Sequence, residues 1–160
     1  MSSKHKFIYT LSFAVLVFVL DILTKELILR SLEVGEVREV TGFFNLVLVL
    51  NTGAAFSLFS GEGENQGVKM ALLSALAMVP LIFLYRLTDP KERLQLASLG
   101  IIFGGAMGNV HDRLRHSAVV DFLDFHLYDS HWPAFNVADI AVVAGLFLFV
   151  LSIVLKPKKA

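Results

Sequence analysis

The stretch Gly104-Gly-Ala-Met-Gly-Asn-Val-His-Asp-Arg113, with Val119-Val-Asp-Phe122 and Phe135-Asn-Val-Ala-Asp139 after it, decides how the chain is read. Five of the seven aspartates fall between residues 104 and 139. Residues 140–155, directly behind Asp139, carry no charge, so this carboxylate stands at the mouth of an apolar helix. An ionisable group at a helix centre in a bilayer costs about 2.5 to 3.5 kcal/mol on insertion scales and usually marks function. Asp121 is framed as unusually, with Ala118-Val119-Val120 before it and Phe122-Leu123 after it.

Composition widens the same reading. With 160 residues, 56% hydrophobic and 18% charged, and a mean hydropathy of +0.69, the chain is expected to be one domain, residues 1–160, of membrane type. Acids and bases number 14 each, so no basic footprint exists for nucleic acid, and that class of partner is excluded. The absence of cysteine removes disulfides, thiolate metal sites and a cysteine nucleophile. Chemistry falls to oxygen and nitrogen groups. The first twenty residues imitate a signal peptide, with Lys4 and Lys6 ahead of an apolar run. No small-x-small site follows and the run continues through Asp21 to Leu29, so it reads as a retained membrane helix.

Four segments, residues 7–29, 68–85, 94–110 and 134–155, approach the roughly 20 residues needed to cross a bilayer. Four crossings put both termini on one side. Lys4, Lys6, Arg86, Lys91, Arg93, Lys156, Lys158 and Lys159 all belong to that side, which the positive-inside rule makes cytoplasmic. Of the fourteen acids only Asp89 and Glu92 share it, so the outer face is expected to hold the chemistry.

In the outer loop 30–67, Val37 and Val40 flank charges and residues 43–50 form a short apolar run, which predicts strands at the membrane surface. Residues 60–67 are polar and glycine-rich, as expected of a moving lid. Residues 114–133 read as a second outer loop ending on the interface anchor Trp132-Pro133. The expected fold is therefore an all-α integral membrane protein, four transmembrane helices with a small extracytoplasmic β-like cradle between helices one and two.

Two carboxylates close together in a low-dielectric cleft cannot both ionise. Asp121 and Asp139 would share one proton, one acting as base towards water and the other as acid towards a scissile carbonyl. The plainer reading of Asp139 is a helix-start acid held by the macrodipole, which suffices for one such residue and less well for two. Asn51, Asn109 and Asn136 each stand beside a small residue. Asparagine donates and accepts, which suits an extended peptide backbone, although a lone asparagine is more often a turn or cap residue. Gly104, Gly105 and Gly108, with Ala106, are read as close helix packing.

Arg113 beside Asp112, and Lys25 four residues after Asp21, are most simply ion pairs or snorkelling groups at helix ends. Arg113 has a second reading, as a holder of a substrate carbonyl or lipid headgroup, and Asp112 is expected ionised and paired with it. Asp124, His126, Asp129 and His131 can be drawn as a metal site, but a solvated loop explains them and no metal-binding helical spacing is present. A serine triad and a nucleophile elbow are both missing. Hydrolase and proton-coupled transporter remain open on these grounds. Transporters place their acids near the bilayer midplane on broken helices, whereas Asp121 and Asp139 are expected at the outer edge. A metal-dependent lipid phosphotransferase would need clustered acids on one helix.

The residues Asp21-Ile-Leu-Thr-Lys25, Asn51-Thr-Gly-Ala-Ala-Phe56 and Gly104 to Arg113, with the two aspartate segments, resemble in order the motifs of the lipoprotein signal peptidases, signal peptidase II. That resemblance covers nearly the whole chain. It implies an inner-membrane aspartic endopeptidase that cuts prolipoproteins on the amino side of a diacylglyceryl-modified cysteine, with no metal or organic cofactor. It implies Asp121 and Asp139 as the dyad, Asn51, Gly53, Asn109, Arg113, Asn136 and Ala138 around the substrate, and Asp21 in support. The expected partners are lipidated prolipoproteins and membrane lipids, met by a monomer.

Overall fold

The computed structural model describes residues 1–53 and 65–155. Among these residues the order is helix α1 (Ser3–Ser31), strands β1 (Val37–Thr41) and β2 (Phe44–Asn51), helices α2 (Gln66–Ala77), α3 (Val79–Leu87) and α4 (Arg93–His116), strands β3 (Val119–Leu127) and β4 (Ser130–His131), and helix α5 (Val137–Val154). Most of the expected lid, residues 60–64, lies outside the described residues.

Helix α4 is the hub, packing against α1, α2 and α5. Its glycines explain how two of these neighbours, α1 and α5, come so close. A methyl group added at Gly100 or Gly104 would run into the carbonyl oxygens of Thr10 and Ala14, and one at Gly105 would lie 2.5 Å from the carbonyl oxygen of Ala138. At Gly108 it would strike the carboxylate of Asp21. The packing role read for Gly104, Gly105 and Gly108 is thus what they perform.

Three apolar rods are long enough to cross a membrane: α1, α2 with α3 taken together over Gln66–Leu87, and α5. The second is broken rather than straight, with Met78 between its halves and Pro80, which lacks an N–H, in the first turn of α3. Helix α4 is not among the apolar rods. Its 24 residues span about 36 Å at 1.5 Å each, but four glycines, Gln95, Ser98 and Asp112 share its buried positions with Leu96, Leu99, Ile102 and Val110. A helix enclosed by protein on three sides has no need of an apolar surface there. The outer surfaces are different: Leu11, Leu23, Val143 and Phe147 are among many large apolar side chains left exposed on α1 and α5.

The four strands form one antiparallel sheet in the order β1-β2-β3-β4. The sequence places a cradle only between the first two helices, and that expectation needs correction. Half of the sheet comes from residues 119–131, which read as loop, while α4 continues to His116 and stops where Ser117 turns left-handed at φ 57°. Val49 pairs with Asp121 across β2 and β3, some seventy residues apart in the chain, so no local pattern announces the pairing. The sheet rests on the end of α1, with Leu48, Val120 and Phe122 packed on Ile28 and Leu32.

Candidate active site

Strand β3 carries Asp121 and the first turn of α5 carries Asp139. What brings them together is the short segment before α5. Phe135 donates its N–H to Leu123 O at 3.1 Å and its carbonyl accepts from Phe122 and Leu123, at 3.0 and 2.8 Å. That pins the segment beside β3 and leaves Asn136, fully buried, between the two aspartates.

Asn136 serves both. Its Oδ1 accepts the Asp139 N–H at 2.9 Å and its own N–H donates to Asp139 Oδ2 at 3.3 Å, a reciprocal cap on α5. Its Nδ2 donates to Asp121 Oδ1 at 2.7 Å. The cap residue of the plain reading and the site residue of the functional one are the same side chain.

The other amides are oriented by their neighbours. Gly53, at φ 82°, turns its N–H onto Asn51 Oδ1 at 2.9 Å, which leaves Asn51 Nδ2 to donate to Asp121 Oδ2 at 2.9 Å. Glycine is required at residue 53 for that left-handed backbone, and among the described residues an added methyl would meet only Met70 Sδ at 3.8 Å. Asn109 is set by a cation. Lys25 Nζ has donors only, so the Asn109 Oδ1 faces it at 3.0 Å and the amide nitrogen is left to donate to Asp139 Oδ1 at 2.9 Å.

Lys25 bears out the ion pair with Asp21 and corrects the snorkelling alternative: it is 1% exposed, bonded to Asp21 at 2.7 Å and also to Asp112 at 2.8 Å. The pairing of Asp112 with its neighbour Arg113 does not form. Asp112 Oδ2 takes Lys25 and the Val120 N–H, at 3.1 Å, which anchors the start of β3. Arg113 is half-buried and donates to the Asn109 carbonyl at 3.3 Å. The helical turns explain this. Adjacent residues on a helix point about 100° apart, so Asp112 faces α1 while Arg113 faces the cleft.

Asp21 and Ala138 are both fully enclosed. Asp21 Oδ1 accepts the Ala138 N–H at 2.8 Å, so these two hold the start of α5 from behind and do not face a cleft. Ala138, expected around the substrate, is corrected to the supporting role expected of Asp21. Lys25 and Asp112 belong to that support too. The signal for them was present in the sequence, two charges four residues apart inside an apolar span, where an exposed position has no solvent to offer.

Asp124 is 6% exposed, not a solvated loop residue. Its carboxylate takes His131 Nδ1 and Asn45 Nδ2, each at 2.9 Å, and those bonds outweigh desolvation to hold its pKa below the usual carboxylate value. His126 stacks on His131 at 4.8 Å. Among the described residues no three acidic or imidazole groups converge as metal ligands would.

The two central carboxylates differ in surroundings. Asp121 is 2% exposed, and burial pushes its pKa up to about 6 against the donated bonds of Asn51 and Asn136, with Asp139 adding a like charge. Asp139 is half-buried at a helix N-terminus. A carboxyl able to hold a proton, joined to a second carboxyl through one asparagine, is an arrangement acid–base hydrolysis can use.

A groove of about 390 Å³ adjoins this region, lined by Met70, Leu73, Ser74 and Leu76 of α2 and by Arg113. It offers an apolar wall and one cation.

The chain is similar to proteins of known kind over nearly its whole length. The family model described as "Signal peptidase (SPase) II" matches residues 13–155. A lipoprotein signal peptidase of Cupriavidus necator is 47% identical over 146 residues, 89% of this chain and 81% of that one. One of Francisella tularensis subsp. mediasiatica is 38% identical over 148 residues, 92% of each chain. Among solved structures, one described as a bacterial membrane enzyme determined by the in meso method at 1.9 Å superposes with a TM-score of 0.79 at 26% identity, covering 92% of this chain and 94% of that one. The chain belongs to the signal peptidase II family and is an aspartic-type peptidase of the bacterial membrane.

Proposed function

We propose that Asp121 and Asp139 are the dyad with which this peptidase removes the signal peptide of a prolipoprotein, cutting on the amino side of a diacylglyceryl-modified cysteine. The observation that carries the assignment is Asn136, whose one side chain bonds both carboxyl groups. Asp139 is the base. It takes a proton from water as the water oxygen attacks the scissile carbonyl, while Asp121 gives its proton to the carbonyl oxygen. On collapse Asp139 returns its proton to the leaving nitrogen, the C–N bond breaks, and a hydroxyl of the tetrahedral carbon restores the proton of Asp121. Asn51 and Asn109 keep the carboxyl groups aimed, and Arg113 with the α2 groove receives the substrate's apolar and carbonyl groups.

Four crossings, with α4 as the third, put both termini in the cytoplasm and the dyad at the outer face. This is supported by the Lys6 ammonium, which donates to Tyr85 O and Thr88 O at 2.6 and 2.7 Å and so ties the start of α1 to the end of α3. Among the described residues Lys4, Arg86, Lys91 and Arg93 belong to that same end. Asn51, Asn109 and Asn136 complete the bonding of both aspartates without a second copy, which favours a monomer. Family membership removes the support for the transporter alternative.

The test is to incubate purified protein with a lipidated prolipoprotein and with its unlipidated twin, beside Asp121→Asn and Asp139→Asn. Only the lipidated form should be cut, and neither variant should cut it. An active Asp121→Asn would return the dyad to debate, and cleavage of the unlipidated twin would remove the lipid requirement. Impermeant labelling at Ser2, Asp89, Glu36 and Ser130 in cells checks the sidedness, the last two alone being expected to react.

A further inference from the structure

A second groove, of about 490 Å³, lies between α1 and α3 with α4 as its floor. Phe7, Leu11, Val15 and Phe18 run up one wall, and Phe103 and Met107 line the floor. None of these residues touches Asp121 or Asp139. Thr10, Tyr85 and Arg86 interrupt the apolar lining, at the end where the Lys6 ammonium sits over the Tyr85 ring. Arg86 stands exposed at the mouth with no hydrogen bond or ion pair among the described residues. One level deeper, the Thr10 hydroxyl is buried without a partner, although Thr24 of the same helix bonds back to Leu20 O at 2.9 Å.

We propose that this groove holds one acyl chain of an anionic glycerophospholipid of the surrounding bilayer, with the phosphate on Arg86 and an ester carbonyl accepting the Thr10 hydroxyl. The order of groups along the groove, cation then hydroxyl donor then hydrocarbon, is the order along such a lipid: phosphate, ester, chain. A buried hydroxyl without an acceptor is costly, and the ester supplies one where a plain hydrocarbon would not. Basic pockets between helices on the cytoplasmic side suit anionic headgroups, which that leaflet carries. This placement rests on the sidedness proposed above.

The test is native mass spectrometry of the detergent-purified chain, titrated with phosphatidylglycerol and, separately, phosphatidylcholine of the same acyl composition. One phosphatidylglycerol should be retained with about a fivefold preference, the worth of one cation near an anionic headgroup. Arg86→Gln, a change at an exposed position, should abolish the preference, and Thr10→Val should weaken retention. Equal retention of the two lipids, or a preference that survives Arg86→Gln, would overturn the proposal. Displacement of the retained lipid by a prolipoprotein would do the same, by giving the groove to the substrate. Retention in detergent does not report sidedness, so a failure of the topology would appear in the labelling experiment and not here.

Discussion

Replacing Asn136 tests the bridge between the aspartates, because two substitutions separate its two jobs. Asn136→Ala removes both the cap on α5 and the 2.7 Å bond to Asp121. Loss of an N-cap costs about 1 kcal/mol, and loss of a hydrogen bond to a charged group roughly 1.5 to 3 kcal/mol. The alanine variant should therefore lose roughly 2.5 to 4 kcal/mol, or somewhat more for the cavity. Asn136→Ser keeps an oxygen for the Asp139 N–H but cannot reach Asp121, so it should be about 1 kcal/mol more stable than alanine.

The pH dependence follows with a definite sign. The Asn136 bond favours the ionised form of Asp121, so its removal moves that pKa upward from about 6. If Asp121 holds the shared proton, kcat/KM falls as pH rises through this value, and both variants should carry that limb to higher pH while kcat drops. Thermal unfolding in detergent and kcat/KM profiles on a lipidated prolipoprotein read the two effects. Equal stabilities of the serine and alanine variants would refute the capping argument, and an unmoved limb would refute the bridge.

Lys25→Met leaves Asp21 and Asp112 buried and unpaired, which should cost about 3 to 5 kcal/mol, mostly recovered when both are also changed to Asn; a single variant as stable as the parent in thermal unfolding would contradict this. Gly108→Ala drives a methyl into the Asp21 carboxylate and should cost about 1 to 3 kcal/mol, while Gly42→Ala, which meets nothing within 4 Å among the described residues, serves as the control in the same melt. Because the folded pKa of Asp121 is raised, its contribution to stability is fully present below its unfolded value of 3.8 and is lost as pH rises through about 6. The loss is at most about 3 kcal/mol, and Asp121→Asn should flatten that part of the melting-temperature profile. Chelators should leave turnover unchanged; full loss restored by a divalent ion would move the chemistry to Asp124 and His131.

What the sequence by itself determined is the content of the site and the medium around it. Apolar runs, the distribution of Lys and Arg, and aspartates framed by apolar residues are properties of short windows, and short windows are all a single sequence displays. Asp121, Asp139, Asn51, Asn109 and Asn136 were legible on those grounds and do share one hydrogen-bonded network. Only the tertiary structure decided who bonds to whom. Lys25 meets Asp112 across 87 positions, and β2 meets β3 across about seventy. Whether a charge lies buried or exposed, and whether a loop closes into a sheet, depends on which helix face turns inward. That is settled by the glycine contacts of α4 with α1 and α5, made between segments no window contains together.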